Sequence, residues 1–263
     1  MKLDLILALD TAQRAARTGG KVLMEGFGSI QDDQISLKGR GDYVTEMDRQ
    51  SESAILTEIK AIFPEHGILA EESGSDCSGK DAVWIIDPLD GTNNFSSGIP
   101  IFTVSLAYQT DGDLKIGIVY DPVHEELFYA EKGKKAFLND SIITVSKRNK
   151  LSDSILATGF PYIKENEKDS NVPEFSALLM KSRGLRRLGS AALDLCYVAC
   201  GRLDGYWEKG LKIWDVAAGG LIVAEAGGKI SNFSGDNWSH LSDKVIASNG
   251  LIHSEIQEVI NKL

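Results

Sequence analysis

Apolar residues in the first part of the chain recur at helical intervals. Leu5, Ala8, Leu9, Ala12, Ala16, Gly19 and Leu23 fall three or four positions apart, which places them on one face of an amphipathic helix. The run TEMDRQSESAILTEIKAIFP predicts a second helix: Thr45 stands at the cap, Asp48 follows three residues on as in a capping box, and Pro64 closes it. Met47, Ala54, Ile55, Ile59 and Ile62 would form its inward face. The pattern then changes. GILAEE, VWIID, IFTVSLAYQ, LKIGIVYD and ELFYAEKG are short, β-branched or aromatic, and separated by Gly, Pro, Asn or Asp, as strands are. Connections such as TDGD and DPVHEE are too short for crossover helices, so the sheet from Ile101 to Ala130 reads as antiparallel, and GKKAFLNDSIITV adds a hairpin.

In the second half the elements alternate. A strand around SILATGFP precedes helices in PEFSALLMKSR and GSAALDLCYVACGR; LDGYWE is a strand, WDVAAGGLIVAEAGG a helix, KVIASNG a strand, and a helix closes the chain. This is the pattern of layered α/β structure. The polar run KENEKDSN, Lys164 to Asn171, reads as an exposed loop or soft boundary, and no internal repeat is visible. We expect one domain over 1–263, with an N-terminal lobe of about 1–150 and a C-terminal lobe of about 151–263.

Composition narrows the function. The formal charge of −10 disfavours nucleic acid as a partner. Asp4 and Asp10 interrupt the N-terminal apolar run, which lacks the frame of a signal peptide, and no stretch reaches transmembrane length. Cys77, Cys196 and Cys200 form no CxxC and read as free thiols, with a reducing cytoplasm as the simplest address. His66, His124, His240 and His253 are scattered without zinc spacing, and no Gly-x-Ser-x-Gly elbow occurs. GGLIVAEAGG is better explained by helix packing than by dinucleotide binding.

The run VWIIDPLDGTNNF carries the candidate chemistry. A buried strand runs into Asp87, and Pro88 forces an extended exit. Gly91 permits a close backbone approach, and Thr92 would cap a helix beginning near Asn93. Clustered carboxylates repel one another unless a hard cation such as Mg²⁺ joins them, and N–H groups beside them suit an anion. Glu71 and Glu72 also stand at a strand's end, and Asp215 starts a helix of small residues.

GDYVTEMD, EES, DPLDGTNNF and WDVAAGGLIVAEAGG, in this order and spacing, resemble the inositol monophosphatase family of metal-dependent sugar phosphatases. The resemblance spans nearly the whole chain. It implies an αβαβα sandwich, a homodimer, two or three Mg²⁺ ions, lithium sensitivity, and hydrolysis of myo-inositol monophosphate or a similar small polyol phosphate. Residue by residue, it implies that Glu71, Asp87 and the carbonyl of Leu89 hold one Mg²⁺, and that Asp87, Asp90 and Asp215 hold a second. Leu89 departs from the family's usual isoleucine, which a carbonyl ligand tolerates. Asp48 and Thr92 match the pair that orients the attacking water, and the N–H groups of Gly91 and Thr92 match the phosphate cradle. Gly189, Ser190 and Ala191 match a segment lining the sugar, and Glu208 matches a carboxylate contacting ring hydroxyls; core packing and a surface acid are the alternatives. Lys38, in the glycine-rich LKGRGDYV, resembles a lysine near the nucleophile or else sits on a solvated hairpin tip. Arg183, Arg186 and Arg187 either rim the pocket or form a solvated face. Fructose-1,6-bisphosphatase activity and a non-catalytic metal-dependent binding protein are the competing readings.

Overall fold

Helical and strand periodicities resolve into layers in the computed structural model, which describes residues 2–29, 35–39, 42–161, 170–236 and 238–263. Side chains before Leu5, and over 35–39 and 42–45, lie outside this description. Helix α1 (Lys2–Gly26) buries Ala8, Ala12, Ala15, Ala16 and Leu23, the expected stripe. A hairpin of β1 (Ile35–Gly39) and β2 (Asp42–Thr45) leads into α2 (Glu46–Ile62). On α2 the inward face is Ile55 and Ile59, joined by Asp48, Ser51 and Glu52, which no hydrophobic pattern would find. Ile62 departs from expectation: it is 40% exposed, and Phe63, four residues after Ile59, turns inward against Trp84 instead.

The larger sheet has eight strands: β3 (Gly67–Ala70), β4 (Gly74–Asp76), β5 (Ala82–Asp90), β6 (Thr103–Thr110), β7 (Asp113–Asp121), β8 (Glu126–Glu131), β9 (Ala136–Leu138) and β10 (Ser141–Ile143). Their order is β10-β9-β8-β7-β6-β5-β3-β4, and only β3 and β5 run parallel. The five-stranded sheet, ordered β12-β11-β13-β15-β14, comprises β11 (Ile155–Thr158), β12 (Gly184–Arg186), β13 (Gly205–Lys209), β14 (Lys229–Ser231) and β15 (Lys244–Ser248). Helices α5 (Ala191–Ala199) and α6 (Ile213–Glu225) lie between the sheets, while α4 (Val172–Leu179) and α7 (His253–Ile260) cover the far face and α1 and α2 the near one. The result is the αβαβα sandwich. Central strands are covered on both faces, so their sequences read as continuous apolar runs: Trp84 and Ile86 face α1 and α2, while Ile85 faces α5 and α6.

The polar run KENEKDSN behaves differently at its end. Residues 164–169 lie outside the description, but Ser170 and Asn171 are buried. Asn171 donates to Thr158 Oγ1 and to the Gly159 carbonyl, each at 2.7 Å, and accepts from Trp207 Nε1 at 3.0 Å. A polar side chain is held inside when its hydrogen-bonding groups meet partners there. Cys196 is buried and Cys200 partly so, both free thiols. Among the described residues no helix is long and apolar enough to cross a membrane.

Candidate active site

Residues three apart on a regular strand point to opposite faces, yet Asp87 and Asp90 share one. Asp87 pairs with Ser105 and Asp90 with Thr103, so three steps on β5 match two on β6. This bulge, which Pro88 occupies without needing an N–H partner, turns both acids to the same side. The Pro88 carbonyl accepts from Ser51 Oγ at 3.0 Å, and Leu89 N–H donates to Asp87 Oδ1 at 3.0 Å. Next comes Gly91, whose φ of 103° and a hypothetical Cβ only 3.0 Å from the Ile101 carbonyl both exclude a side chain. Helix α3 (Thr92–Ser96) then begins at Thr92 itself, not at Asn93, and Thr92 does not cap it. Its hydroxyl lies instead between Asp48 Oδ1 and the Leu89 carbonyl, each at 3.1 Å; it holds one proton and can donate to one at a time.

Other elements bring the remaining acids. Glu71 follows β3 with its N–H bonded to the Ile86 carbonyl, and the carboxylate of buried Glu52 accepts the next two N–H groups, of Glu72 and Ser73, at 2.9 Å each. Asp215 sits in the first turn of α6, its Oδ2 accepting from Lys212 N–H at 2.7 Å. Ser190 caps α5 by accepting from Leu193 N–H and donates to Asp90 Oδ2 at 2.6 Å, where Ala192 N–H also donates at 2.8 Å. Asn94 crosses between the two halves of the site, its amide donating to the carbonyls of Ile101 and Leu188 at 2.8 Å each.

The facing wall comes from the smaller sheet. Glu208 on β13 accepts from Tyr206 Oη at 2.6 Å and lies over Gly159, where a Cβ would fall 2.1 Å from Glu208 Oε2. A side chain at this position would displace the carboxylate. Asp194 on α5 and Arg187, just past β12, complete this wall. The cavity between the walls has a volume of about 320 Å³.

Burial is the main force on the carboxyls of Asp87, Asp90, Asp215 and Glu208. It pushes Asp87 well above the usual carboxylate range, helped by the charges of Glu71, Asp90 and Asp215 and opposed by Leu89 N–H. Burial and Asp90 raise Asp215 strongly, against the Lys212 N–H. Asp90 is raised by burial but moderated by Ser190, the α5 N–H groups and Arg187. Glu208 rises to about 7 through burial, with the Tyr206 hydroxyl and Arg187 pulling back. Four acids that repel one another in a small cavity form an all-oxygen donor set that suits a hard divalent cation. Among the described residues, no group of three or more His, Cys, Asp or Glu side chains is already arranged to hold a metal ion.

A profile of the Inositol monophosphatase family matches residues 6–263. The chain belongs to the inositol monophosphatase family. The Inositol-1-monophosphatase of Mesorhizobium japonicum is 41% identical over 256 residues, covering 97% of this chain and 96% of that one. The Nus factor SuhB of Pasteurella multocida is 44% identical over 257 residues, covering 97% and 95%. The crystal structure of the extragenic suppressor protein suhB from Bartonella henselae superposes with a TM-score of 0.93 at 40% identity, covering 97% and 99%. Members of the family are generally metal-dependent.

In this family member, Glu71, Asp87, Leu89, Asp90, Gly91, Thr92, Gly189, Ser190, Ala191, Glu208 and Asp215 all line the one cavity. Asp48 stands behind Thr92, 1% exposed. Lys38 lies on β1, its side chain outside the description. Of the three arginines, Arg187 reaches the cavity, while Arg183 and Arg186 are on exposed surface. Glu52, Asn94 and Asp194 receive no role from the sequence, although Asn94 lies within DPLDGTNNF and Asp194 within GSAALD. Glu52 is buried on α2 with no apolar signal of its own.

Proposed function

We propose that this protein is a Mg²⁺-dependent phosphomonoester hydrolase acting on myo-inositol monophosphate or a similar small polyol phosphate. The observation that carries the reading is one cavity with two chemistries: the acids Asp87, Asp90, Asp215 and Glu71, and with them Glu208 and the residues Gly189, Ser190 and Ala191. Glu71, Asp87 and the Leu89 carbonyl would hold one ion and Asp87, Asp90 and Asp215 a second, with two or three bound in all. Bound Mg²⁺ supplies neutralisation of the phosphate oxygens, a lowered pKa for the attacking water and stabilisation of the leaving alkoxide.

The chain's own groups do the rest. When Thr92 donates to Asp48 Oδ1, its oxygen keeps a lone pair that accepts a proton from water and aims the water's own lone pair at phosphorus. Asp48, buried behind it, is the final acceptor of that proton. The N–H groups of Gly91 and Thr92 hold phosphate oxygens, and Gly189, Ser190, Ala191 and Glu208 orient the polyol. The same reading expects a homodimer, residence in the cytoplasm and inhibition by lithium.

The test is phosphate release from inositol-1-phosphate and fructose-1,6-bisphosphate, each with Mg²⁺ and with EDTA. Release from the inositol ester, abolished by EDTA, is expected; preference for the bisphosphate would move the assignment to that branch. A second reading, a metal-dependent binding or regulatory protein, draws on the name Nus factor SuhB of the Pasteurella relative. Absence of turnover on any phosphate ester would favour it.

A further inference from the structure

Asp87, Asp90 and Asp215 each accept a backbone N–H, and Glu208 accepts the Tyr206 hydroxyl. Asp194 is 1% exposed and lines the same cavity, yet among the described residues its side chain makes no hydrogen bond, and Oδ1 is fully buried without a partner. Its backbone is fixed in the first turn of α5, where Asp194 N–H donates to the Ser190 carbonyl at 3.0 Å. A buried carboxyl left without a partner is destabilising. Leucine would fill such a core position at no such cost.

We propose that Asp194 is a specificity-determining residue, whose carboxyl group beside Glu208 receives a hydroxyl of the bound polyol. The inference rests on the phosphatase reading above and extends it to a residue given no role there. Its position supports the role: Asp194 lines the cavity with Glu208 and Arg187 and feels the charges of Glu208, Asp90 and Arg187. Rotation about χ2 has a low barrier, so either carboxyl oxygen can turn to the cavity. Burial, with the charges of Glu208 and Asp90, also pushes the Asp194 carboxyl well up, and a protonated carboxyl can both donate to and accept from a hydroxyl.

The experiment compares inositol-1-phosphate with 4-nitrophenyl phosphate, whose leaving group has no second hydroxyl, in wild type, Asp194→Leu and Asp194→Asn. For Asp194→Leu, kcat/KM on the inositol ester is expected to fall about 30-fold, mainly through KM, and on the aryl ester less than about 3-fold. Asp194→Asn keeps a hydrogen-bonding group and should stay within about 5-fold on both. The Mg²⁺ concentration for half-maximal activity should not move. Melting temperature reports folding, and Asp194→Ala supplies the same ratio if the leucine variant does not fold. Equal losses on the two esters would overturn the proposal in favour of a structural role, and an unchanged inositol ester would overturn it outright. Wild-type protein that hydrolyses only the aryl ester, or neither, would remove the polyol phosphatase reading and this inference with it.

Discussion

Asp87, Asp90 and Thr92 come from six consecutive residues, whereas Glu208, Asp194 and Arg187 come from β13, α5 and the exit of β12. The first wall is organised by the local chain: a bulge sets the direction of two acids, and the adjoining N–H of Leu89 fixes one of them. The second is assembled only when the smaller sheet and α5 meet, and its acids owe little to their own backbone. Both walls bury carboxyls at a cost. On the first, the acids repel each other, so a cation relieves the cost; on the second, Arg187, the Tyr206 hydroxyl and proton uptake offset it. On the proposed reading, a metal-binding wall and a hydroxyl-binding wall can therefore be told apart by what each needs in order to be stable.

Asp90→Asn gives the sharpest separation. It should lower kcat by about 10²-fold or more, because a charge that acts on the reacting centre is lost. It should also raise the melting temperature of the EDTA-treated protein, because a mutually repelling carboxylate has gone. Lower stability in EDTA together with full activity in Mg²⁺ would break the contrast between the walls.

The next effect is on the second wall. Glu208→Gln should lower kcat/KM on the polyol ester by about 10- to 100-fold while leaving the Mg²⁺ requirement in place. It also tests linkage. Glu208 has a folded pKa of about 7 against an ordinary 4.5, so below about 4.5 both states are protonated and the group contributes nothing. As pH rises from there through 7, the unfolded chain ionises first and stability is lost, by at most roughly 3 kcal/mol. Denaturant midpoints from pH 5 to 8 should fall more steeply for wild type than for the glutamine variant; parallel curves would mean that Glu208 is not the group titrating.

The smallest effect concerns support for the first wall. Glu52→Ala leaves the N–H groups of Glu72 and Ser73 without their carboxylate, and should cost roughly 1–3 kcal/mol in stability. Because Glu71 precedes them, half-maximal activity should also need more Mg²⁺. Stability loss with an unchanged metal requirement would detach Glu52 from the site.

Much of this protein follows from its sequence alone. The helical stripe of α1, the antiparallel strands from β6 to β8, the hairpin of β9 and β10 and the acids after β3, on β5 and in α6 are all legible, because spacing and backbone preference act over a few residues. Tertiary structure decided the rest. Ile62 faces outward because Phe63 takes the inward place; Thr92 serves Asp48 instead of capping α3 because a helix 44 residues earlier brings a carboxylate to its hydroxyl. Asn171 is buried because Thr158, Gly159 and Trp207 offer it partners. Whether a polar residue is surface, support or site depends on which groups meet it inside, and that is set by distant segments the local pattern does not encode.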